Sequence, residues 1–238
     1  MISDEMRHQF HERGFMILER AIAADELEVL RAECADVMAT IDAEIAAGRR
    51  DQHGLSVPGS RYFVSEIAKS RPRLRRFLFS DLMRQICRAT LGNRAYFFLD
   101  QFVVKAADVG GRFSWHQDSG FIPFDHHPYV TCWCALDDIG EENGTIYLLP
   151  YERAGTRERI QHVKDPVSND LVGYDGDDPG DPVVAPAGTV AVFSSTTLHR
   201  SGPNRTNRMR RVYLVQYSFE PILNPDGSLR RSAVPVFS

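Results

Sequence analysis

Residues 114–121 read SWHQDSGF, and the predicted fold is organised around this stretch. His116 and Asp118 stand two positions apart, so in an extended segment both side chains project from the same side of the strand. An imidazole and a carboxylate placed in this way can bind one metal ion. The third ligand must come from elsewhere, and His199, within SSTTLHRSG at residues 194–202, is the best placed candidate. Two histidines and one carboxylate on one face of a metal, with other positions open, are typical of non-haem Fe(II) oxygenases.

A His-x-Asp pair alone is more often a polar pair at the end of a surface strand, so the surrounding sequence has to decide. The further motifs are WCALDDI at 133–139, ENGT at 142–145, LP at 149–150 and HxSxxNxTxxxR at 199–210. In this order and spacing, they resemble the phytanoyl-CoA dioxygenase family of Fe(II)- and 2-oxoglutarate-dependent oxygenases. The resemblance is strong over residues 95–220 and weak before them. It is specific for the cofactor chemistry and unspecific for the substrate.

The resemblance implies a ferrous ion held by His116, Asp118 and His199, and 2-oxoglutarate as a co-substrate. It also implies that the enzyme hydroxylates a C–H bond with O2 and releases succinate and CO2. Related halogenases lack the carboxylate ligand, so Asp118 argues against halogenation. We expect the substrate to be a small metabolite or a natural-product intermediate.

The far carboxylate of 2-oxoglutarate needs a cation, and the planar fork of an arginine matches a carboxylate better than a lysine does. Four arginines compete for this role: Arg205, Arg208, Arg210 and Arg211. Alternation along the strand puts Arg210 on the face of Val212, Leu214 and Gln216, opposite to Arg211. The family pattern places the anchoring arginine at Arg210, eleven residues after His199, and a hydroxyl partner for the same carboxylate at Ser201.

Other residues are weaker candidates for contact with the co-substrate. Trp133 falls where the family carries a tryptophan beside 2-oxoglutarate, and Thr131 shares its face; either residue can equally be part of the core. Gln101, a polar residue in an apolar strand, implies a partner inside the protein. Lys105 resembles a lysine of the family but can equally face solvent. We expect Asn204 to stabilise a turn.

Composition predicts one globular domain over residues 1–238. The chain has a net charge of -4, 43% hydrophobic and 25% charged residues, and this balance argues against a nucleic-acid partner. No signal peptide or membrane span is expected. Four cysteines do not make a disulfide framework, so we expect a cytoplasmic protein. Cys132 and Cys134 are expected to pack as small buried side chains and not to bind metal.

The order of predicted elements favours an α+β fold, in which mainly helical residues 1–94 support a β-rich core at 95–220. The resemblance implies that this core is a double-stranded β-helix, the cupin-like jelly roll. Predicted helices lie at Ser3–Gly14, Asp25–Ala47 and Ser80–Gly92. The basic run 71–76 is expected to be a solvated helix face. Predicted strands lie at 15–18, 96–105, 130–136, 146–149, 190–193 and 212–219.

Three loop regions are candidates for the walls of the pocket. Residues 49–60 are rich in turn formers, and such loops often line substrate pockets. Residues 121–127 follow the His-x-Asp pair and are expected to form the substrate wall, although His126 and His127 are more typical of exposed loop residues. Residues 152–187 are predicted to be either a solvated acidic loop or a lid over the metal; a calcium site is less favoured because the EF-hand spacing is absent.

Two other functions use the same residues. A non-catalytic jelly-roll protein would bind metal and a 2-oxo acid without turnover. A zinc-dependent hydrolase would use His116, Asp118 and His199 to bind a water molecule, and it would need neither O2 nor a 2-oxo acid. The oligomeric state is left open by the sequence.

Overall fold

The structure is a computed structural model, and it describes residues 2–48, 61–107, 111–166, 168 and 170–237. The helices are α1 (Asp4–Arg13), α2 (Ala24–Ala46), α3 (Pro72–Leu78), α4 (Asp81–Thr90) and α5 (Tyr151–Ala154). The strands are β1 (Phe15–Leu18), β2 (Arg61–Ser65), β3 (Tyr96–Lys105), β4 (Phe113–His116), β5 (Val130–Ala135), β6 (Ile146–Leu149), β7 (Val163–Lys164), β8 (Leu171–Val172), β9 (Asp181–Pro182), β10 (Val190–Ser194), β11 (Leu198–Ser201), β12 (Arg210–Ser218) and β13 (Val234–Pro235). None of the helices within these ranges has the length and apolar character needed to cross a membrane.

Two antiparallel sheets form the predicted jelly roll. The larger sheet has the order β1-β10-β5-β12-β3-β13, and β2 also pairs with β3. The smaller sheet has the order β4-β11-β6-β9. Strands distant in sequence therefore become neighbours, for example β12 with both β3 and β5. The α+β jelly-roll prediction is confirmed.

The helices cover one face of the larger sheet, as predicted. Tyr213, Val215 and Tyr217 of β12 are fully buried and belong to one hydrophobic cluster with residues of α2, α3 and α4. The ring of Phe77 lies 6.0 Å from that of Tyr213, and the hydroxyl of Tyr213 donates to Asp100 at 2.9 Å. The alternate residues of β12 are thereby left to face the opposite side of the sheet.

The helix ends follow the predicted capping residues. Ser3 accepts a hydrogen bond from the backbone N–H of Met6, and Ser80 accepts one from Met83. α1 ends at Gly14, whose φ of 87° lies in the left-handed region that a residue with a side chain rarely adopts. These local signals need no tertiary partner, which is why the sequence located these two helices.

Both ends of the chain add strands to the larger sheet. β1 pairs with β10, with Phe15 opposite Phe193, and β2 pairs with β3, with Ser65 opposite Gln101. β13 lies beyond the predicted core limit of residue 220 and also pairs with β3. The larger sheet therefore includes strands from outside the predicted core of residues 95–220. β2 and β13 are short edge strands, and their apolar pattern is too brief to be read from sequence.

The basic run forms α3, but only part of it is a solvated face. Arg73, Arg75 and Arg76 are exposed. Arg71, which precedes the helix, forms ion pairs with Glu33 and Asp36 of α2, each at 2.7 Å. These pairs connect α3 to α2, so the expectation of a fully solvated run was wrong for Arg71.

The stretch 152–187 packs on the protein without covering the predicted metal site. Arg153 forms ion pairs with Asp178 and Asp181, and Arg13 pairs with Asp181 at 2.6 Å. Arginines therefore neutralise two of the carboxylates of the acidic loop, Asp178 and Asp181. Among the described residues, none between 152 and 187 lines the central cavity, which argues against the lid. The candidate pocket loop 49–60 lies outside the described residues.

Candidate active site

A cavity of about 320 Å³ lies between the two sheets. Its walls come from β2, β3, β5, β10 and β12 on one side and from β4, β6 and β11 on the other. It contains His116, Asp118, His199, Ser201 and Arg210. Residues that are far apart in the sequence therefore share one cavity.

The three predicted metal ligands meet at one end of this cavity. Pairing of β4 with β11 puts His116 directly opposite His199, with ring centroids 4.1 Å apart. One nitrogen of each histidine and one oxygen of Asp118 all lie within 4.8 Å of one another. The His199 Nε2 to Asp118 Oδ1 distance is 3.7 Å. A single metal ion bound between these atoms would contact all three side chains.

Asp118 does not lie in the strand, contrary to the extended His116–Asp118 segment that the sequence predicted. β4 ends at His116, and Asp118 begins a short 3₁₀ turn that ends at Phe121. Gln117 remains extended, with φ -107° and ψ 141°, so Asp118 still projects to the side of His116. The side chain of Gln117 is fully buried and donates to the backbone carbonyl of Thr196 at 2.7 Å.

Backbone carbonyls select the tautomer of both imidazoles. The Nδ1 atom of His116 lies 2.8 Å from the carbonyl oxygen of Ser114, and that of His199 lies 3.0 Å from the carbonyl oxygen of Thr197. A carbonyl only accepts hydrogen bonds, so Nδ1 carries a proton, and in the neutral ring Nε2 keeps a free lone pair. Burial, with a contribution from the neighbouring His199, lowers the pKa of His116 well below 6.5. The neutral, metal-binding form of His116 is therefore favoured.

Two side chains of the larger sheet hold the carboxylate of Asp118. The hydroxyl of Thr131 donates to Oδ2, and the amide of Gln216 donates to the same oxygen at 3.1 Å. Thr131 and Gln216 are opposite each other on β5 and β12. Thr131 was expected to contact the co-substrate, but the structure places its hydroxyl on Asp118, and it is not part of the cavity wall. Both bonds go to Oδ2, which leaves Oδ1 facing His199.

Arg210 lies deep in the cavity and is 1% exposed. Its Nη2 donates to the carbonyl of Gly144 at 2.8 Å. Its Nε and Nη1 atoms are buried and have no hydrogen-bond partner among the described residues. Burial lowers the pKa of Arg210 to about 10, so the guanidinium is still charged at neutral pH. A buried cation with unused N–H groups fits a carboxylate ligand.

Lys105 is a second buried cation in the cavity. It stands opposite Arg210 where β3 pairs with β12 and is 3% exposed. Its ammonium group donates to the hydroxyl of Ser201 at 2.9 Å and to the carbonyl of Gly202. The solvent-facing alternative for Lys105 is therefore wrong. The sequence did contain a signal for this buried position, because Lys105 stands at the end of a predicted apolar strand.

The remaining candidates have separate positions. Trp133 lines the cavity, with its ring 5.5 Å from the guanidinium carbon of Arg210. Gln101 lines the half-exposed part of β3 and donates to the hydroxyl of Ser65 at 2.8 Å. Asn204 lies outside the cavity and donates to the carbonyls of Ala106 and Arg208 at 3.0 and 2.7 Å, the turn-stabilising contacts expected of it.

The predicted substrate wall is only partly in place. Phe121 and Ile122 line the cavity, and the ring of Phe121 lies 5.5 Å from that of His116. His126 is not among the residues that line the cavity; its Nδ1 lies 2.9 Å from the carbonyl oxygen of Phe124 and its Nε2 lies 3.2 Å from the hydroxyl of Ser119. Sequence reasoning missed the contributions of β2 and of the C-terminal segment, because nothing in either segment marks it as part of a pocket.

The thiols are not part of the site. Cys132 and Cys134 are fully buried, on the face of β5 that belongs to the main hydrophobic cluster. Burial raises the pKa of both thiols well above the usual range. They pack as small apolar side chains, as the sequence predicted.

Comparisons with known proteins show the family and the fold. The family model described as phytanoyl-CoA dioxygenase (PhyH) matches residues 10–212. The peroxisomal phytanoyl-CoA dioxygenase of Mus musculus is 23% identical over 227 residues, which cover 87% of this chain and 66% of the mouse protein. The ectoine dioxygenase of Stutzerimonas stutzeri (strain A1501) is 27% identical over 235 residues, or 91% of this chain and 77% of that protein.

Among solved structures, EvdO2 from Micromonospora carbonacea var. aurantiaca, crystallised with 2-oxoglutarate, is similar in fold. The TM-score is 0.72 with 24% sequence identity, and the match covers 91% of each chain. At this identity the similarity supports the jelly-roll architecture.

Proposed function

The chain belongs to the phytanoyl-CoA dioxygenase (PhyH) family, and from this we propose that it is an Fe(II)- and 2-oxoglutarate-dependent dioxygenase. It hydroxylates a C–H bond of a small organic molecule, consumes O2 and 2-oxoglutarate, and releases succinate and CO2. One observation carries the proposal: a single cavity holds two histidines, one aspartate and a buried arginine with unused N–H groups. This combination pairs a metal site with a carboxylate site.

His116, Asp118 and His199 would hold the metal. Both histidines present Nε2 because Nδ1 is bonded to the backbone, and Asp118 presents Oδ1 because Oδ2 is occupied by Thr131 and Gln216. Three ligands on one side suit ferrous iron with open positions. When bound, ferrous iron supplies the redox chemistry that couples oxidative decarboxylation of 2-oxoglutarate to oxidation of a substrate C–H bond.

Arg210 would bind the far carboxylate of 2-oxoglutarate. Its Nε and Nη1 groups have no partner among the described residues, and each can donate a charge-assisted hydrogen bond to a carboxylate oxygen. Ser201 and Lys105 are joined by a hydrogen bond and line the same part of the cavity, where they would add a donor and a second positive charge. Trp133 would close one side of this subsite. Gln101 would contribute the polar amide of its side chain to the cavity wall.

The proposal extends to the organisation of the protein and its surroundings. Residues 1–238 act as one domain, an inference supported by strands from both ends of the chain in one sheet. A cytoplasmic location is supported by four unpaired, buried cysteines, which suit a reducing compartment. Fractionation of the native cells tests the location. Recovery of the protein outside the cytoplasmic fraction would contradict it.

The main experiment measures succinate from anaerobically purified protein loaded with Fe(II). Adding 2-oxoglutarate and O2 should give succinate, and omitting any of the three components should abolish it. In parallel, binding of 2-oxoglutarate to the Fe(II)-loaded protein without O2 gives a dissociation constant. The proposal is rejected if the wild-type protein neither binds 2-oxoglutarate nor forms succinate with a broad substrate panel.

Arg210→Gln is the variant that isolates the carboxylate site. Loss of charge-assisted hydrogen bonds should weaken 2-oxoglutarate binding about 10- to 100-fold while iron still binds. Arg208→Gln is the matched control because Arg208 is exposed two residues away and loses the same charge. Equal 2-oxoglutarate affinity in the two variants would remove Arg210 from this role.

The same measurements separate the rival functions. A non-catalytic binding protein would bind iron and 2-oxoglutarate but form no succinate. A zinc-dependent hydrolase would contain stoichiometric zinc and remain active without O2 and 2-oxoglutarate. Metal analysis of the anaerobically purified protein therefore accompanies the succinate assay.

A further inference from the structure

One part of the central cavity differs in chemistry from the part that holds the buried Arg210 and Lys105. It is lined by aromatic residues, among them Phe98, Phe121 and Tyr129, and by Arg230. The proposed function uses Arg210, Lys105 and the metal ligands and leaves this aromatic part of the cavity without a ligand.

Arg230 is half-buried in the cavity wall. Within the part of the chain that the structure describes, no carboxylate is paired with its guanidinium group, and Arg230 forms a hydrogen bond through its backbone N–H. The next residue, Arg231, is exposed and lies 3.6 Å from Glu66. A half-buried arginine that lines a cavity without an acidic partner is able to bind an anion from solution.

The backbone of Arg230 is held against the cavity. Its N–H donates to the carbonyl of Ile222 at 2.9 Å. Ile222 belongs to a small hydrophobic cluster with Phe98, Ile122 and Tyr129, and the rings of Phe98 and Tyr129 lie 5.2 Å apart. The arginine is thereby tied to the aromatic wall, so its position does not depend only on an exposed loop.

Tyr129 lines the same cavity as the metal ligands and Arg230. It is 3% exposed, while its backbone N–H is fixed by the hydroxyl of Ser195 at 2.9 Å. No partner of its hydroxyl is found among the described residues. Burial raises the pKa of Tyr129, the negative charge of Asp118 raises it further, and the positive charge of Arg230 opposes them. Both charges therefore act on this hydroxyl, which stays protonated and can donate a hydrogen bond.

We propose that the substrate is a small organic anion whose oxyanion group, a carboxylate or a phosphate, is bound by Arg230 and the hydroxyl of Tyr129. Its apolar body lies against Phe98 and Phe121, and the C–H bond to be oxidised faces the metal ligands. The identity of the reacting end rests on the proposed function, whereas the anion site does not. Anion binding at Arg230 would thus select substrates by charge and set the distance from that charge to the oxidised carbon.

The test measures binding of matched probes by calorimetry without O2. The probes are 3-phenylpropionate, phenyl phosphate and the neutral 3-phenylpropionamide, added to wild-type protein with Fe(II), first with and then without saturating 2-oxoglutarate. We expect one of the two anions to bind at least about tenfold more tightly than the amide, the difference that one charge-assisted contact gives at a half-exposed site. The anion that binds more tightly identifies carboxylate or phosphate as the preferred group.

Variants assign this preference to a residue. Arg230→Gln should abolish the preference, so that the anion and the amide bind with about equal affinity, and Tyr129→Phe should reduce the preference partly. Arg230→Lys keeps the charge and should retain part of the preference. Arg73→Gln, which removes an exposed arginine on α3, should leave it unchanged. Thermal unfolding of each variant shows whether the fold is retained.

Each outcome bears on one proposal only. An anion preference that disappears in Arg230→Gln and persists in Arg73→Gln supports the inference, even if the protein does not bind 2-oxoglutarate and the proposed function fails. Normal 2-oxoglutarate binding together with no preference for either anion in the wild type, or with a preference that survives Arg230→Gln, overturns the inference and leaves the proposed function in place.

Discussion

Asp118 is held by two neighbours, and this support should matter for metal affinity. Thr131 and Gln216 both donate to Oδ2, so they orient the carboxylate and keep Oδ1 toward the histidines. Groups that hold metal ligands typically change metal affinity about 10- to 100-fold when removed. We therefore expect Thr131→Val to bind Fe(II) about tenfold more weakly in anaerobic titrations. Thr131→Ser keeps the hydroxyl and is the control. Equal affinity of the Val and Ser variants would contradict this role.

The buried imidazole of His116 should make the metal-free protein sensitive to acid. Its folded-state pKa is lowered well below 6.5 by burial and by His199. Below pH 6.5 His116 takes up a proton in the unfolded chain but not in the folded protein. The free energy of unfolding therefore decreases as the pH is lowered. For His116 alone, the free energy of unfolding can decrease by at most about 1.4 kcal/mol per pH unit between pH 6.5 and the lowered pKa.

Urea unfolding of the metal-free protein at pH 7.0 and pH 5.5 measures this effect. His116→Gln should show a smaller loss of stability at the lower pH than the wild type. The exposed His8→Gln is the control and should keep the wild-type loss. The same pH dependence in wild type and His116→Gln would mean that other groups account for the acid sensitivity.

At the scale of single residues, spacing predicted some positions and tertiary structure decided the others. The two-residue separation of His116 and Asp118 correctly placed both side chains on one side, although Asp118 lies in a 3₁₀ turn and not in the strand. Arg210 was chosen by strand alternation together with the family pattern. Thr131 could not be assigned correctly because its partner lies in a 3₁₀ turn 13 residues earlier in the chain. The sequence showed Gln216 as polar in an apolar strand, but not which neighbour its amide would meet.

α2 illustrates an element whose role is support. Leu30 is 1% exposed and belongs to the cluster beneath the larger sheet, and Arg31 donates to the carbonyl of Leu136 at the end of β5 at 2.7 Å. Leu30→Ala should lower the free energy of unfolding by about 2–5 kcal/mol, since it removes buried methyl groups and leaves a cavity. The half-exposed Leu223→Ala should cost less than about 1 kcal/mol.

Chemical denaturation measures both variants, and 2-oxoglutarate binding is measured alongside at a temperature where each is folded. We expect unchanged 2-oxoglutarate affinity in Leu30→Ala, because α2 covers the face of the sheet opposite to the cavity. A large loss of affinity in the folded variant would show that α2 also shapes the site.

The elements that sequence located have local signals, and those it missed depend on partners. α1, α2 and α4 have capping residues or a long apolar repeat, and seven of the ten residues of β3 are apolar. β2 and β13 are edge strands of five and two residues, and they are ordered by β3, which was predicted without knowledge of its neighbours. Short strands therefore require the sheet before they can be recognised.

At the scale of the whole molecule, the site depends on segments outside the 95–220 core. Fully buried β12 residues such as Tyr213 and Tyr217 are covered by the N-terminal helices. β1 covers the edge of β10, and β2 lines the cavity with Phe63. A fragment of residues 95–220 would expose this hydrophobic face and the free edges of β3 and β10. Burial of such surface is the main favourable term in folding.

We therefore expect the 95–220 fragment to lack a cooperative unfolding transition and to bind a hydrophobic dye, whereas the 1–238 chain unfolds in one transition. Circular dichroism during urea titration, together with dye fluorescence, makes the comparison. Because the fragment keeps His116, Asp118, His199 and Arg210, its failure to bind 2-oxoglutarate with Fe(II) would show that complete ligands are insufficient without the supporting sheet. A fragment that unfolds cooperatively and binds 2-oxoglutarate would instead place the domain boundary near residue 95.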